Sequence, residues 1–68
     1  MSISENEAVA LVLERVPGAG SEHVYIQLER DDGHWMYDGE IYYNGKEFEF
    51  EMNAESGQIL EWSEEEDD

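Results

Sequence analysis

The two histidines, His23 and His34, are the side chains best suited to bind a transition metal or to exchange protons near neutral pH. If a hairpin paired them, a nearby carboxylate such as Glu29 or Asp38 would add a third ligand. A zinc site needs three or four ligands in fixed geometry, and the chain has no cysteine to supply a thiolate. The sequence therefore predicts no specific metal site and no cofactor, with both histidines solvated at strand starts.

Carboxylates are the other groups that could do chemistry, as candidate general acids and bases. Useful general acids lie in desolvated clefts, whereas Glu47, Glu49 and Glu51 alternate along one strand and share a side that faces solvent. The sequence has no nucleophile elbow, phosphate-binding loop or metal-binding helix motif, and no calcium loop of the EF-hand type. We therefore predict that the protein is not an enzyme and binds cations only weakly and non-specifically.

The charge balance restricts the partners. Nineteen acidic residues against three basic ones give a net charge of −16, which repels nucleic acid and anionic lipid and attracts basic protein surfaces. No apolar run approaches the roughly 20 residues that span a bilayer, and residues 1–7 lack the features of a signal peptide. We expect no nucleic-acid binding and no membrane insertion, and either a cytoplasmic chain or a domain of a longer secreted or anchored protein.

The first element that these residues predict is a helix. Ser4 and Glu7 have the spacing of a capping box, and Pro17 with Gly18 predicts its end. Between them an apolar stripe recurs at i, i+3, i+4 and i+7, formed by Val9, Val12, Leu13 and Val16 and widened by Ala8 and Leu11.

From about residue 23 the apolar period changes to two, which predicts strands near residues 23–29, 34–43, 47–52 and 58–62. Asp31-Asp32-Gly33 predicts one turn, and Asn44-Gly45 predicts a tight hairpin of type I′. A third turn is predicted over residues 53–57. These patterns favour four strands joined by short connections.

The simplest assembly is an α+β domain over residues 1–62, with one N-terminal helix packed on one face of a four-stranded antiparallel meander. The acidic run of residues 63–68 is predicted to be a disordered tail. The helix stripe is expected to pack against these sheet residues: Val24, Ile26, Leu28, Trp35, Tyr37, Ile41, Phe48, Phe50, Met52 and Ile59.

Four segments together resemble a PepSY domain over residues 3 to 62. Residues 3–8 resemble its helix opening, I-x-x-x-x-A, and Val16-Pro17-Gly18-Ala19 its helix exit. Trp35-Met36-Tyr37 with Glu40-Ile41 is similar to its aromatic second strand, and residues 53–60 to its closing D-A-x-T-G-x-I-L. Asn53 and Ser56 replace the usual Asp and Thr, but both keep short side chains that can bond to the turn backbone.

The resemblance implies a cystatin-like architecture and a bacterial module of the cell surface and secretion pathway, hence an extracytoplasmic location. In propeptides of thermolysin-like metallopeptidases such domains are associated with inhibiting the peptidase and assisting its folding. Free-standing copies are proposed to regulate peptidases near the cell envelope. The family has no catalytic residues of its own, so none is transferred to this chain.

The candidate binding residues lie on the sheet face opposite the helix. They are Tyr25, Met36 and Tyr42, with Trp62 near the edge and Glu47, Glu49 and Glu51 steering a basic partner. The aromatic residues could instead be ordinary cross-strand packing.

The leading functional hypothesis is a module that regulates or inhibits a peptidase, such as a thermolysin-like metallopeptidase. One alternative is a homodimer or sensor arm within a larger envelope protein. A lower-ranked alternative is an acidic mimic of nucleic acid that occupies a basic DNA-binding protein.

Overall fold

The computed structural model describes residues 2–66 and contains one α-helix, one 3₁₀ turn and four strands. They are α1 (Glu5–Leu13), η1 (Ser21–His23), β1 (Val24–Asp31), β2 (His34–Tyr43), β3 (Lys46–Asn53) and β4 (Ile59–Glu66). Each strand pairs antiparallel with the next, in the order β1-β2-β3-β4. The predicted α+β class, a helix on a four-stranded meander, is confirmed; the short turn η1 was not predicted.

The helix begins at the predicted capping box. The Glu7 backbone N–H donates to Ser4 Oγ (3.1 Å), and the Ser4 N–H donates to Glu7 Oε1 (2.9 Å). The preceding segment is tied to the sheet, because Ile3 N–H donates to the Ala54 carbonyl (2.7 Å) and Tyr37 Oη donates to the Ile3 carbonyl (2.9 Å). These four hydrogen bonds fix where the helix enters the domain.

The helix ends at Leu13, earlier than the predicted stop at Pro17. Arg15 and Val16 donate to carbonyls three residues back (both 3.1 Å), so the last turn is tightened. The ring of Pro17 disfavours the α conformation at the residue before it, which explains why Val16 does not continue the helix.

The core lies between α1 and the sheet face that we call the inner face, and its most buried sheet members are Tyr37, Ile41, Phe48, Phe50 and Met52. The buried helix positions are Ala8 and Val12, and Val16, in the segment after the helix, is buried with them. Val9 and Leu13, expected in the core, are only half-buried. The apolar stripe is therefore rotated towards Ala8 relative to the prediction.

Leu28 and Trp35 were also predicted to be core residues, and this is wrong: they are 47% and 40% exposed. Leu28 lies on the edge strand β1, and Trp35 lies next to the β1–β2 turn. Helix α1 leaves this corner of the sheet uncovered, although Tyr37, the register partner of Leu28, is buried.

The turns form as their residue types predict. Asp32 and Gly33 have φ of 53° and 83°, and Asn44 and Gly45 have 55° and 75°, as type I′ turns require. In the third turn Asn53 Oδ1 accepts the N–H groups of Glu55 (2.8 Å) and Ser56 (3.0 Å). Asparagine thus performs the backbone-bonding role expected at that position.

Strand β4 differs most from the prediction. It runs to Glu66, so residues 63–66 are paired with β3 rather than disordered, and the salt bridge from Lys46 Nζ to Glu64 Oε2 (3.2 Å) reinforces the pairing. Residues 67 and 68 lie outside the described residues. A β-bulge opposite Glu51 and Met52 places Ile59 and Trp62 on the same, inner face, whereas strict alternation had placed them on opposite faces.

Gly39 in the middle of β2 yields a first testable prediction. A methyl group there would overlap the Tyr25 carbonyl oxygen and lie 2.5 Å from Phe50 Cζ. Gly39→Ala should therefore lower the free energy of unfolding by about 1–3 kcal/mol, which outweighs the gain of about 0.4–1 kcal/mol from a stiffer unfolded chain. Urea denaturation measures the change, and a neutral or stabilised variant would contradict the predicted overlap. In a Phe50→Leu background the loss should be smaller, because only the carbonyl overlap remains.

Candidate functional site

The sheet face away from α1, which we call the outer face, is strongly acidic. The cross-strand register places alternate residues of every strand on it. Its carboxylates are Glu29, Asp31, Asp38, Glu40, Glu47, Glu49, Glu51, Glu61 and Glu65. None of the three lysines and arginines is in the outer-face register, so the face carries one sign of charge.

Two tyrosines lie within this acidic field. Tyr25 of β1 is 62% exposed and Tyr42 of β2 is 40% exposed. Their rings pack edge to face with centroids 5.8 Å apart, which is the cross-strand packing that stabilises a sheet. Both rings nevertheless keep large exposed surfaces, so the pair also forms an aromatic platform on the outer face.

The Tyr42 hydroxyl is fixed by Glu40. It donates to Glu40 Oε2 at 2.7 Å. This hydrogen bond, with smaller effects of burial and of the neighbouring glutamates, raises the pKa of Tyr42 to about 12. The phenol therefore remains a neutral hydrogen-bond donor at physiological pH, and its ring is held in one orientation.

Partial burial and neighbouring carboxylates together shift the pKa values of glutamates on the outer face. Partial burial, followed by hydrogen bonds with Glu40 and Glu49, raises the pKa of Glu47. Partial burial and the charge of Asp38 raise the pKa of Glu51. Oxygens of Glu40, Glu47 and Glu49 lie within 4.8 Å of one another. A cation or a basic side chain placed here would relieve this repulsion.

A similar effect operates at the β1 side of the face. A hydrogen bond with Asp38, and then the charge of that group, raise the pKa of Glu29. Within residues 2–66, the buried oxygen Oδ1 of Asp38 has no hydrogen-bond partner. The acidic field thus extends across the sheet from β4 to the free edge of β1.

The other two candidate binding residues are not available on this surface. Met36 belongs to the outer face by register, between Glu29 and Asn53, but it is only 6% exposed. Trp62 lies on the inner face, where its ring packs on Phe48 and Phe50 with centroids 5.7 and 6.4 Å away. Arg15 covers Trp62, with Cζ 5.1 Å from the ring centroid. The alternation pattern could not reveal Met36's burial, and the bulge in β4 reversed the side on which Trp62 lies.

The two histidines do not meet. His23 lies in η1, before β1, whereas His34 pairs with Asp31 at the opposite end of β1. His23 Nδ1 accepts the Gly20 N–H (3.0 Å), and its ring packs edge to face on Tyr43, 4.9 Å between centroids. The geometry gives His23 a role in holding the loop before β1. It does not assemble a shared site from the two imidazoles.

Comparison with known proteins identifies one family. The model of the peptidase propeptide and YPEB domain, PepSY, matches residues 2–62. No curated protein and no solved structure shows significant similarity to the chain. Domains of this family are usually peptidase propeptides or regulatory modules, are generally non-catalytic and are typically extracytoplasmic. Across residues 2–66, the only α-helix has nine residues, too few to cross a membrane. The match covers nearly the whole chain, and the protein therefore belongs to the PepSY domain family.

Proposed function

We propose that this domain is a non-catalytic protein-binding module that regulates or inhibits a secreted or envelope-associated peptidase, and that it binds through its outer face. Family membership supports a regulatory role towards a peptidase. The observation that carries the choice of surface is the exposed Tyr25–Tyr42 pair within a field of carboxylates. Tyrosine offers a large, rigid contact area, while the surrounding charge accelerates encounter with a basic surface.

The direct test is titration of the domain against a thermolysin-like metallopeptidase, with peptide hydrolysis followed at two salt concentrations. Calcium is held fixed and in excess, because an acidic protein that removed the ion from the peptidase would imitate inhibition. Saturable inhibition that weakens with salt is expected. No effect at high micromolar domain would refute peptidase inhibition, and light scattering would then test self-association.

Tyr42→Ala should weaken this association by roughly tenfold or more, because the substitution removes half of the aromatic platform. Tyr42→Phe is the matched control: it keeps the ring and loses only the hydroxyl that donates to Glu40. Inhibition constants for the three proteins measure the effect. Equal constants for Tyr42→Ala and the unaltered domain would remove the tyrosine pair from the binding site.

A further inference from the structure

The two edges of the sheet are protected to different degrees. An exposed edge strand offers unpaired N–H and C=O groups to another chain, and proteins commonly block it with charges or bulges. Strand β4 has both devices: the bulge near its start and a run of acids ending in Glu64, Glu65 and Glu66. Strand β1 also carries charges, at Glu29, Arg30 and Asp31, but it has neither a bulge nor a proline, and it pairs with β2 in continuous register over eight residues.

The free side of β1 is also accessible. Residues 27–31 are all exposed. Across the described part of the chain, residues 25–31 form no backbone hydrogen bonds outside their pairing with β2. In an antiparallel edge strand alternate residues point their backbone groups away from the neighbouring strand. The second half of β1 thus presents a template to which another strand can be added.

The inner face at this edge is apolar. Leu28 and Trp35 lie at a corner of the sheet that α1 leaves uncovered, 47% and 40% exposed. Ile26, which is partly buried against the core, continues this surface towards the helix. Arg30 stacks over Trp35, with Cζ 5.4 Å from the ring centroid, and so covers the ring rather than the free edge. A strand added beside β1 would therefore place apolar side chains next to Ile26 and Leu28.

The outer face at the same edge is acidic, which restricts the occupant. Glu29 and Asp31 project there beside Asp38 and His34 of β2, so carboxylates outnumber the one imidazole. A basic side chain on the added strand would pair with these carboxylates and relieve their mutual repulsion. A second copy of this chain would instead add another net charge of −16 and bring its own Glu29 and Asp31 to the contact. Charge complementarity thus favours a different, basic polypeptide.

We propose that the free edge of β1 binds an extended segment of a partner protein whose residues alternate between apolar and basic, as a fifth strand of the sheet. The apolar residues pack beside Ile26 and Leu28, and the basic ones face Glu29 and Asp31. Main-chain hydrogen bonds supply affinity, and the two faces supply selectivity. Binding of this kind does not require the partner to be a peptidase.

The test uses a synthetic peptide that alternates valine and lysine, capped at both ends and matched to the eight residues of β1. Binding is followed by NMR of the ¹⁵N-labelled protein together with amide hydrogen exchange. We expect amides within residues 27–31 to shift and to become protected. Leu28→Glu should weaken binding about tenfold. Leu60→Glu is the matched control, because Leu60 lies on the other edge strand with the same 47% exposure, and it should bind as the unaltered protein does.

Two peptide controls separate strand addition from attraction by charge alone. A peptide N-methylated at two consecutive central residues loses a donor on each edge and should not bind. A peptide with glutamate in place of lysine should not bind either. Binding by either control peptide, shifts confined to β3 and β4, or equal losses for Leu28→Glu and Leu60→Glu would each overturn the proposal. The proposal would also be overturned if the free protein sedimented as a dimer and amide exchange showed that the two copies pair through β1, because the occupant would then be a second copy.

Discussion

Ile41→Ala is expected to lower the free energy of unfolding by about 2–5 kcal/mol, because it truncates one of the largest fully buried side chains of the domain. Ile41 lies in the central strand β2, between Val24 of β1 and Phe48 of β3. Truncation removes apolar surface from the core and leaves a cavity that the paired strands cannot close. Domains of this length have a total stability of roughly 3–10 kcal/mol, so the variant should be close to unfolding at room temperature.

Urea denaturation followed by tryptophan fluorescence measures this loss, and Leu60→Ala is its control. Leu60 has the same aliphatic size but is 47% exposed on an edge strand, so its truncation should cost less than about 1 kcal/mol. Similar costs at the two positions would mean that the core does not lie between α1 and the inner face.

The fold follows closely from the sequence because its signals are local. The capping box needs only Ser4 and Glu7, and each type I′ turn needs only a pair such as Asn44-Gly45. Alternation then assigns most strand residues to a face. What local patterns do not contain is which part of the sheet the helix covers. Leu28 stays exposed on the edge strand β1 although its pattern is that of a core residue.

The candidate site was predictable only in part. Tyr25, Tyr42 and the glutamates of β3 fall on the outer face as alternation predicts. Trp62 does not, because one extra residue in β4 reverses the side on which it lies. A bulge depends on the pairing between two strands, so the sequence of a single strand does not predict it. The free edge of β1 was likewise not predictable, since which strands become edges is a property of the whole sheet.

The last prediction concerns pH and follows from the burial, hydrogen bonding and mutual charge of the carboxylates on the outer face. The pKa values of Glu29, Glu47 and Glu51 are raised in the folded state above the ordinary value of 4.5. The folded protein therefore binds protons more readily than the unfolded chain. The stabilisation from these groups is complete below pH 4.5 and is lost as the pH rises through the raised folded-state values. Glu7 acts in the opposite sense, because hydrogen bonds with Ser4 lower its pKa; its contribution is present above 4.5 and is lost as the pH falls further.

Mildly acidic solution should consequently stabilise the domain, with a higher Tm at pH 5 than at pH 7. Added salt should raise the Tm at pH 7 more than at pH 5, because it screens the repulsion between the carboxylates.

Calorimetry on Glu47→Gln and Glu51→Gln should give a Tm that depends less steeply on pH. Glu14→Gln, which removes one charge at the exposed end of the helix, away from the outer face, should leave the slope nearly unchanged. A Tm that decreases when the pH is lowered from 7 to 5 would show that the outer-face carboxylates do not oppose folding. Their repulsion would then no longer be an argument for a basic partner.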